Sequence, residues 1–304
     1  MQTILIKLLA MFFPVVLGYM LKQVGFFGPT DYRILAKIAI NITLPCAVVA
    51  SFADMELDLS LLGVILLSLV MNVIVAVYAL VTSGSIADPK DRCRDIFCVV
   101  GFNMGNFLIP FAQQFMGSTG VAVTALFDAG NSPMCTGGHY VFATTMVPVD
   151  SKKTTWKEVM KKLFSSVPLD VYLVMVIMMV LNLRVPSGIA EVCRLTGNAN
   201  AYVSMFMMGL MFEIRIDASY IKAAGFSLAR KYLFGGAFAL ICYFLLPFDL
   251  IVRQVLVLIC FAPIPSLAAI FTENVKGDVG LASFTTSCSF VISSVIITAL
   301  VLLM

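Results

Sequence analysis

Ten apolar segments organise this chain, and such a series has few places to go. They cover approximately residues 2–23, 32–53, 59–82, 94–116, 120–146, 168–183, 195–213, 228–246, 254–272 and 280–303. A helix crossing the hydrocarbon core of a bilayer needs about 20 apolar residues. Most of the segments reach that length, and the sixth is short. Of the 304 residues 61% are hydrophobic and 12% charged, about half the charged share of a globular protein. At a mean hydropathy of +1.01 there are too few polar groups to cover a water-facing surface. The expected class is an all-α integral membrane protein with the lipid bilayer as its solvent. No length remains for a separate soluble domain, and a nucleic-acid partner is disfavoured despite the net charge of +3.

The basic residues orient the segments, because cytoplasmic loops carry the excess of Lys and Arg. With the N-terminus outside, the inner side receives Lys22, Arg33, Lys37, Lys90, Arg92, Arg94, Lys152, Lys153, Lys157, Lys161, Lys162, Arg215, Lys222, Arg230, Lys231 and Lys276. The outer side receives only Lys7, Arg184, Arg194 and Arg253. A miscounted span would invert everything after it, so this imbalance predicts ten spans with both termini outside, in a plasma membrane or bacterial inner membrane. The N-terminal segment carries Lys7 and Pro14 but neither a basic leader nor a small-residue cleavage site, and is expected to be retained as a span.

Cys46, Cys93, Cys98, Cys135, Cys193, Cys242, Cys260 and Cys288 are scattered, mostly in apolar segments, and form no CxxC pair. They read as small buried hydrophobes. His139 is the single histidine, so no multi-histidine metal site and no cofactor is expected. In the polar stretch Val149–Val167, Thr155 and Glu158 are spaced as a capping box. Trp156, Met160, Leu163 and Phe164 then share one helical face opposite the lysines, which predicts a short helix on the inner membrane surface.

That linker, residues 148–167, separates an N-terminal half (1–147) from a C-terminal half (168–304). Five spans in each half would make the second enter the membrane from the opposite side, as an inverted repeat. Segments four and nine both carry a mid-span proline, then a short apolar run and a glycine-containing turn. Counted from Pro110, Asn131 and Ser132 stand at the same offsets as Thr286 and Ser287 from Pro265. Proline lacks an N–H and displaces the carbonyl four residues back. The carbonyls expected to be freed are those of Asn106 (by Pro110), Ile259 (by Pro263) and Phe261 (by Pro265). In hydrocarbon such groups must be buried in protein or face a water-filled cavity. A broken helix also offers a half-helix N-terminus, which suits an anion. Asn103, Asn106, Pro110, Pro263, Pro265 and Ser266 are therefore the candidate substrate site.

Four stretches carry a resemblance: INITLPCAVVASF (Ile40–Phe52), GFNMGNFLIPFAQQFMG (Gly101–Gly117), LFDAGNSPMCTGG (Leu126–Gly138) and FAPIPSLAAIFTENV (Phe261–Val275). Their order and spacing resemble the auxin efflux carrier family, including its bacterial carboxylate carriers, over nearly the whole chain. The family motif places an asparagine seven residues before a proline, as Asn103 and Pro110 stand here. The resemblance implies two inverted five-helix repeats with broken crossover helices four and nine, as in bile-acid sodium symporters and the antiporter NhaA. It implies a mobile core of spans 3–5 and 8–10 moving against a scaffold of spans 1, 2, 6 and 7, often dimeric, hence a homodimer. It places a small organic anion, a mono- or dicarboxylate, near Asn103, Pro110 and Pro263. Ala268 stands where plant members would have a second proline and Asn106 is an addition, so plant-hormone specificity is not carried over.

Asp128 is the carboxylate expected well inside a span, whereas Glu213 and Glu273 fall near predicted ends. An ionised Asp in hydrocarbon is costly, so it should be protonated, paired or facing water. It is either an ion-coupling group with Asn131 and Ser132 or a hydrogen-bonded brace of span five. The coupling ion is open between H+ and Na+, and His139 is read as structural. No Arg or Lys is expected mid-span, so a carboxylate would rely on helix N-termini, Asn, Ser and Thr rather than an arginine clamp. An enzyme is disfavoured: HExxH is absent, and Ser132 and His139 on one helix make no protease site. The expectation is a secondary active transporter working by elevator-type alternating access. The alternatives are a ligand-binding receptor or sensor on a carrier fold, and a channel.

Overall fold

The computed structural model describes residues 2–28, 30–55, 58–149, 156–212 and 218–304. Among them the secondary structure is entirely helical, and helix occupies each of the ten apolar segments. The first half comprises α1 (Gln2–Gln23), α2 (Tyr32–Ile38), α3 (Leu44–Asp54), α4 (Leu62–Thr82), α5 (Pro89–Val99), α6 (Ile109–Phe115), α7 (Gly117–Pro133) and α8 (His139–Met146). After α9 (Trp156–Leu163) come α10 (Val167–Val180), α11 (Ser187–Gly197), α12 (Asn200–Met211), α13 (Ala218–Phe244), α14 (Leu250–Cys260), α15 (Leu267–Asn274) and α16 (Val279–Leu303). Four stretches are long and apolar enough to cross a membrane unaided: Tyr32–Asp54, Leu59–Thr82, Pro89–Phe115 and Val279–Leu303. Large apolar side chains such as Leu9, Leu66, Val81, Leu195 and Leu233 stand exposed around the outside. This is the surface of a protein that uses lipid as solvent.

The prolines are absorbed in a way that proline-break reasoning did not anticipate. Pro45 and Pro110 each occupy the second position of an α-segment, α3 and α6, and each follows five residues of π-helix, Ala39–Thr43 and Met104–Leu108. Widening the ladder by one residue lets the chain meet a residue without an N–H, and the start of a helical segment needs no donor there. Pro133 ends α7 ahead of a third π-turn, Met134–Gly138. Span four is therefore interrupted not at Pro110 but upstream, at Val100–Asn103, where Gly101 takes φ +78°. The Ile259 carbonyl, expected to be free, accepts the Ala262 N–H at 3.0 Å. The second interruption covers residues 261–266 and contains both Pro263 and Pro265. The helices leading into the two interruptions, α5 and α14, are each 11 residues long.

Acidic side chains mark several helix starts. Asp88 accepts from the N–H groups of Lys90 and Asp91 ahead of α5, and Asp278 from Leu281 at the start of α16. The Ser60 hydroxyl and N–H hold the Asp58 carboxyl below the usual carboxylate range at the approach to α4. For α9, Thr155 and the side chains of Trp156 and Leu163 lie outside the described residues, as do Lys152, Lys153, Glu213 and Arg215. The two described apolar side chains on its expected face, Met160 and Phe164, are both exposed.

Among the described residues, three of the cations counted toward the inner loops are buried inside the helix bundle: Arg94, Arg230 and Lys231. The error lay in the helix start, since α13 begins at Ala218 and puts Lys231 near its middle. Asp95 is likewise a buried intrahelical carboxylate, so Asp128 has a counterpart that the segment boundaries hid. Arg230 donates to Asp95 and, at 2.9 Å, to Thr82, while Ser227 donates to the same carboxylate. One buried cluster thus ties α4, α5 and α13 together.

Elsewhere the bundle packs through small residues, as expected where lipid gives no hydrophobic drive between helices. α1 lies along α12 at glycine level. A Cβ on Gly209 would stand 2.1 Å from the Val15 carbonyl, and one on Gly18 would stand 2.4 Å from that of Phe206. Gly209→Leu should therefore separate the two helices and destabilise the protein by about 1–3 kcal/mol, read as a lowered unfolding temperature in detergent. An equal temperature for variant and parent would mean that this contact does not hold the pair.

Candidate functional site

The two interruptions meet each other. The Asn103 N–H, at the end of the first, donates to the Pro263 carbonyl in the second at 3.0 Å. Gly101 is forced by this approach: its φ is positive, and a Cβ there would lie 2.9 Å from Cys135 Sγ and 3.0 Å from Pro265 Cγ. Unpaired backbone groups are costly away from water, and several of those freed here find a donor or acceptor. The Lys231 ammonium donates to the Gly101 carbonyl at 2.9 Å and stands 5.1 Å from the Phe102 ring centroid. Asn131 Nδ2 donates to the Phe102 carbonyl at 3.0 Å. In the second interruption the Ile264 N–H donates to Ser289 Oγ at 3.0 Å, and the Ser289 carbonyl accepts from Tyr232 at 2.7 Å. Consecutive residues of α13, Lys231 and Tyr232, thus serve the first interruption and the helix that braces the second.

Beside this crossing lies a cavity of about 350 Å³. Asn103, Asn106, Pro263 and Ser266, four of the six candidate substrate residues, line it. Pro110 and Pro265 do not. Pro110 is buried within α6, and Pro265 is packed on Gly101 as a structural wedge. Ser266 precedes the first residue of α15 without a side-chain cap bond, and Asn103 precedes the π-turn that opens the second part of span four. Both half-helix N-termini therefore adjoin the cavity, where their partial positive charge favours an anion. Ser283, Thr286 and Ser287 from α16 add hydroxyls, and Lys22 and Phe212 line it from the C-terminal ends of α1 and α12. Lys22 Nζ donates to the Phe212 carbonyl at 3.2 Å.

The residues expected to act on a coupling ion separate. Asp128 accepts from Asn131 at 3.0 Å and from the Tyr172 hydroxyl at 3.1 Å. Asn131 in turn accepts from Cys135 at 3.2 Å. Asn131 is thus the joint between Asp128 and the first interruption. Among the described residues the hydrogen bonds to Asp128 come from Asn131 and Tyr172, and none is seen from Ser132. The offset match of Asn131 and Ser132 with Thr286 and Ser287 is also not an equivalence of roles, for only the second pair lines the cavity. His139 is buried, and its Nε2 has no hydrogen-bond partner. Among the described residues no cluster of His, Cys, Asp and Glu is arranged to hold a metal.

Sequence reasoning missed Lys231, Tyr232, Ser289, Tyr172 and Lys22. Lys231 could have been found: Ala218–Leu228 carries no proline, so nothing required the helix to begin as late as residue 228. No protein-family model matches this chain, and no curated protein matches it.

Lys231→Met would leave the Gly101 carbonyl without its donor at the tightest point of the crossing. The expected cost is about 1–3 kcal/mol, measurable as a lower unfolding temperature in detergent. Retention of the parent's temperature would show that another group can serve that carbonyl.

Proposed function

We propose that this protein is a secondary active carrier of a small organic anion, a mono- or dicarboxylate, working by elevator-type alternating access. The observation that carries this reading is the pairing of two interrupted helices, Asn103 N–H to Pro263 carbonyl, beside a cavity where amides, hydroxyls and two half-helix N-termini stand among apolar side chains. A carboxylate suits such a wall, and the interruptions are tolerable in a membrane because they are buried in protein and line a cavity. The resemblance to auxin efflux carriers points the same way. In this proposal the ten helical segments form two inverted five-span repeats, residues 1–147 and 168–304, joined by the 148–167 linker. The assembly is a homodimer in a plasma or bacterial inner membrane with both termini outside. The Lys22 end of the cavity is then the inner one, and the described state faces inward.

Asp128 is assigned to coupling, with H+ as the proposed ion. It is bonded through Asn131 to the first interruption, so a change in its charge acts on the segment that carries the substrate site. Uptake of labelled mono- and dicarboxylates into proteoliposomes, with and without a pH gradient, tests the whole reading. Saturable, gradient-driven uptake of one acid is expected. Saturable binding with no flux would instead favour a receptor, and non-saturating flux a channel.

Two substitutions separate the roles. Asn103→Ala should weaken carboxylate binding about tenfold or more while leaving the unfolding temperature within a few degrees. Unchanged affinity would remove Asn103 from the site. Asp128→Asn should abolish the response of uptake to a pH gradient and retain exchange of substrate across the membrane. A variant as sensitive to the gradient as the parent would reject the coupling role.

A further inference from the structure

A second cavity, of about 640 Å³, lies between α1 and α16. Its walls are apolar almost throughout, including Phe12 and Val16 from α1 and Val291, Val295 and Ala299 from α16. Val16 is 55% and Val295 65% exposed, so the groove is open on the side where lipid chains would stand. Phe212 and Phe290 line both this groove and the cavity beside the crossing. Their rings meet edge to face, with centroids 6.2 Å apart at 62°. Phe290 is fixed within α16, but Phe212 lies just past the end of α12 on extended backbone (φ −66°, ψ 124°). Two aromatic rings, one of them outside any helix, thus border both the cavity beside the crossing and the groove.

This continuity has a consequence for the ligand. The amides and hydroxyls of the cavity beside the crossing suit a carboxylate head, but they stand among Met208, Leu210, Met211 and Ile270, so a small hydrophilic acid would leave much of the wall unused. We infer that the transported anion is amphipathic, with its carboxylate in the cavity beside the crossing and an unbranched apolar tail passing between Phe212 and Phe290 into the α1–α16 groove. The inference rests on the carrier reading above and narrows its substrate class. Burial of the tail supplies the affinity, and the groove's open side gives the ligand a lateral entry from the lipid.

The test uses purified full-length protein in lipid nanodiscs and the straight-chain alkanoates from butyrate to decanoate, with binding to empty nanodiscs subtracted. For the parent, affinity should rise about fourfold per added methylene until the groove is filled. Ala299→Phe and Val295→Trp occupy the groove from exposed positions on its wall. Each should flatten that rise for the longer acids and leave butyrate affinity unchanged, whereas Asn103→Ala should weaken every chain length alike. If butyrate binds as tightly as decanoate, the carrier reading stands and the amphipathic ligand falls, the groove then holding lipid. A rise that persists undiminished in both groove variants also overturns the inference. If no alkanoate of any length binds saturably while a short hydroxylated or dicarboxylic acid does, the inference fails and the carrier reading survives. If no carboxylate of any kind binds, both fail.

Discussion

A backbone carbonyl or amide that leaves a helix inside a membrane has no water to turn to, and the central architecture here follows from that constraint. Two helices are interrupted, and each interruption supplies part of what the other lacks, through the bond from Asn103 to Pro263. Further groups are met by side chains from the surrounding helices: Lys231 and Asn131 at the first interruption, Ser289 at the second. Helices α7, α13 and α16 are thus held to the crossing by bonds to backbone atoms, and moving the crossing would carry them along. The cavity is a by-product of the same geometry, since the interruptions bring Asn103, Asn106, Pro263 and Ser266 to its wall.

Against this polar centre, the pairing of α1 with α12 depends on the absence of side chains. Gly18 and Gly209 let the two backbones touch, and Lys22 adds one hydrogen bond to the Phe212 carbonyl at the end of α12. The bundle therefore contains two kinds of contact, one specified by hydrogen bonds and one by shape. The apolar groove between α1 and α16 lies where these two kinds of packing adjoin.

The ten segments were legible because apolar runs of this length announce themselves without tertiary context. Asn103, Asn106, Pro263 and Ser266 were legible as cavity-lining residues because polar groups beside mid-span prolines have few other places to be. The positions of the breaks were less so. Pro110 marks span four as irregular, but the π-turn of Met104–Leu108 absorbs it, and the interruption moves to Gly101, whose positive φ no hydropathy pattern reveals. Lys231 and Arg230 were read as loop charges because they stand at the edge of the predicted segment 228–246, where hydropathy begins a span. The chain instead continues the helix and buries the charge against a carbonyl or a carboxylate from another span. Asp95 escaped notice for the same reason. Pairing across some 130 residues leaves no local trace in a sequence.

That long-range pairing bears on how the chain is made. Asp95 and the Gly101 carbonyl belong to the first half, but their partners Arg230 and Lys231 are adjacent residues of α13. While a ribosome is still translating the second half, α5 carries a carboxylate without its guanidinium and an interruption without its ammonium. The same helix interruption waits still longer for the carbonyl of Pro263. The first five segments are therefore an unfinished assembly, closed only when α13 and then the stretch after α14 arrive. Synthesis order thus makes the N-terminal half dependent on sequence that does not yet exist when it is inserted. A chain truncated before α13 would expose to quality control a buried charge and an open backbone, rather than half a working protein.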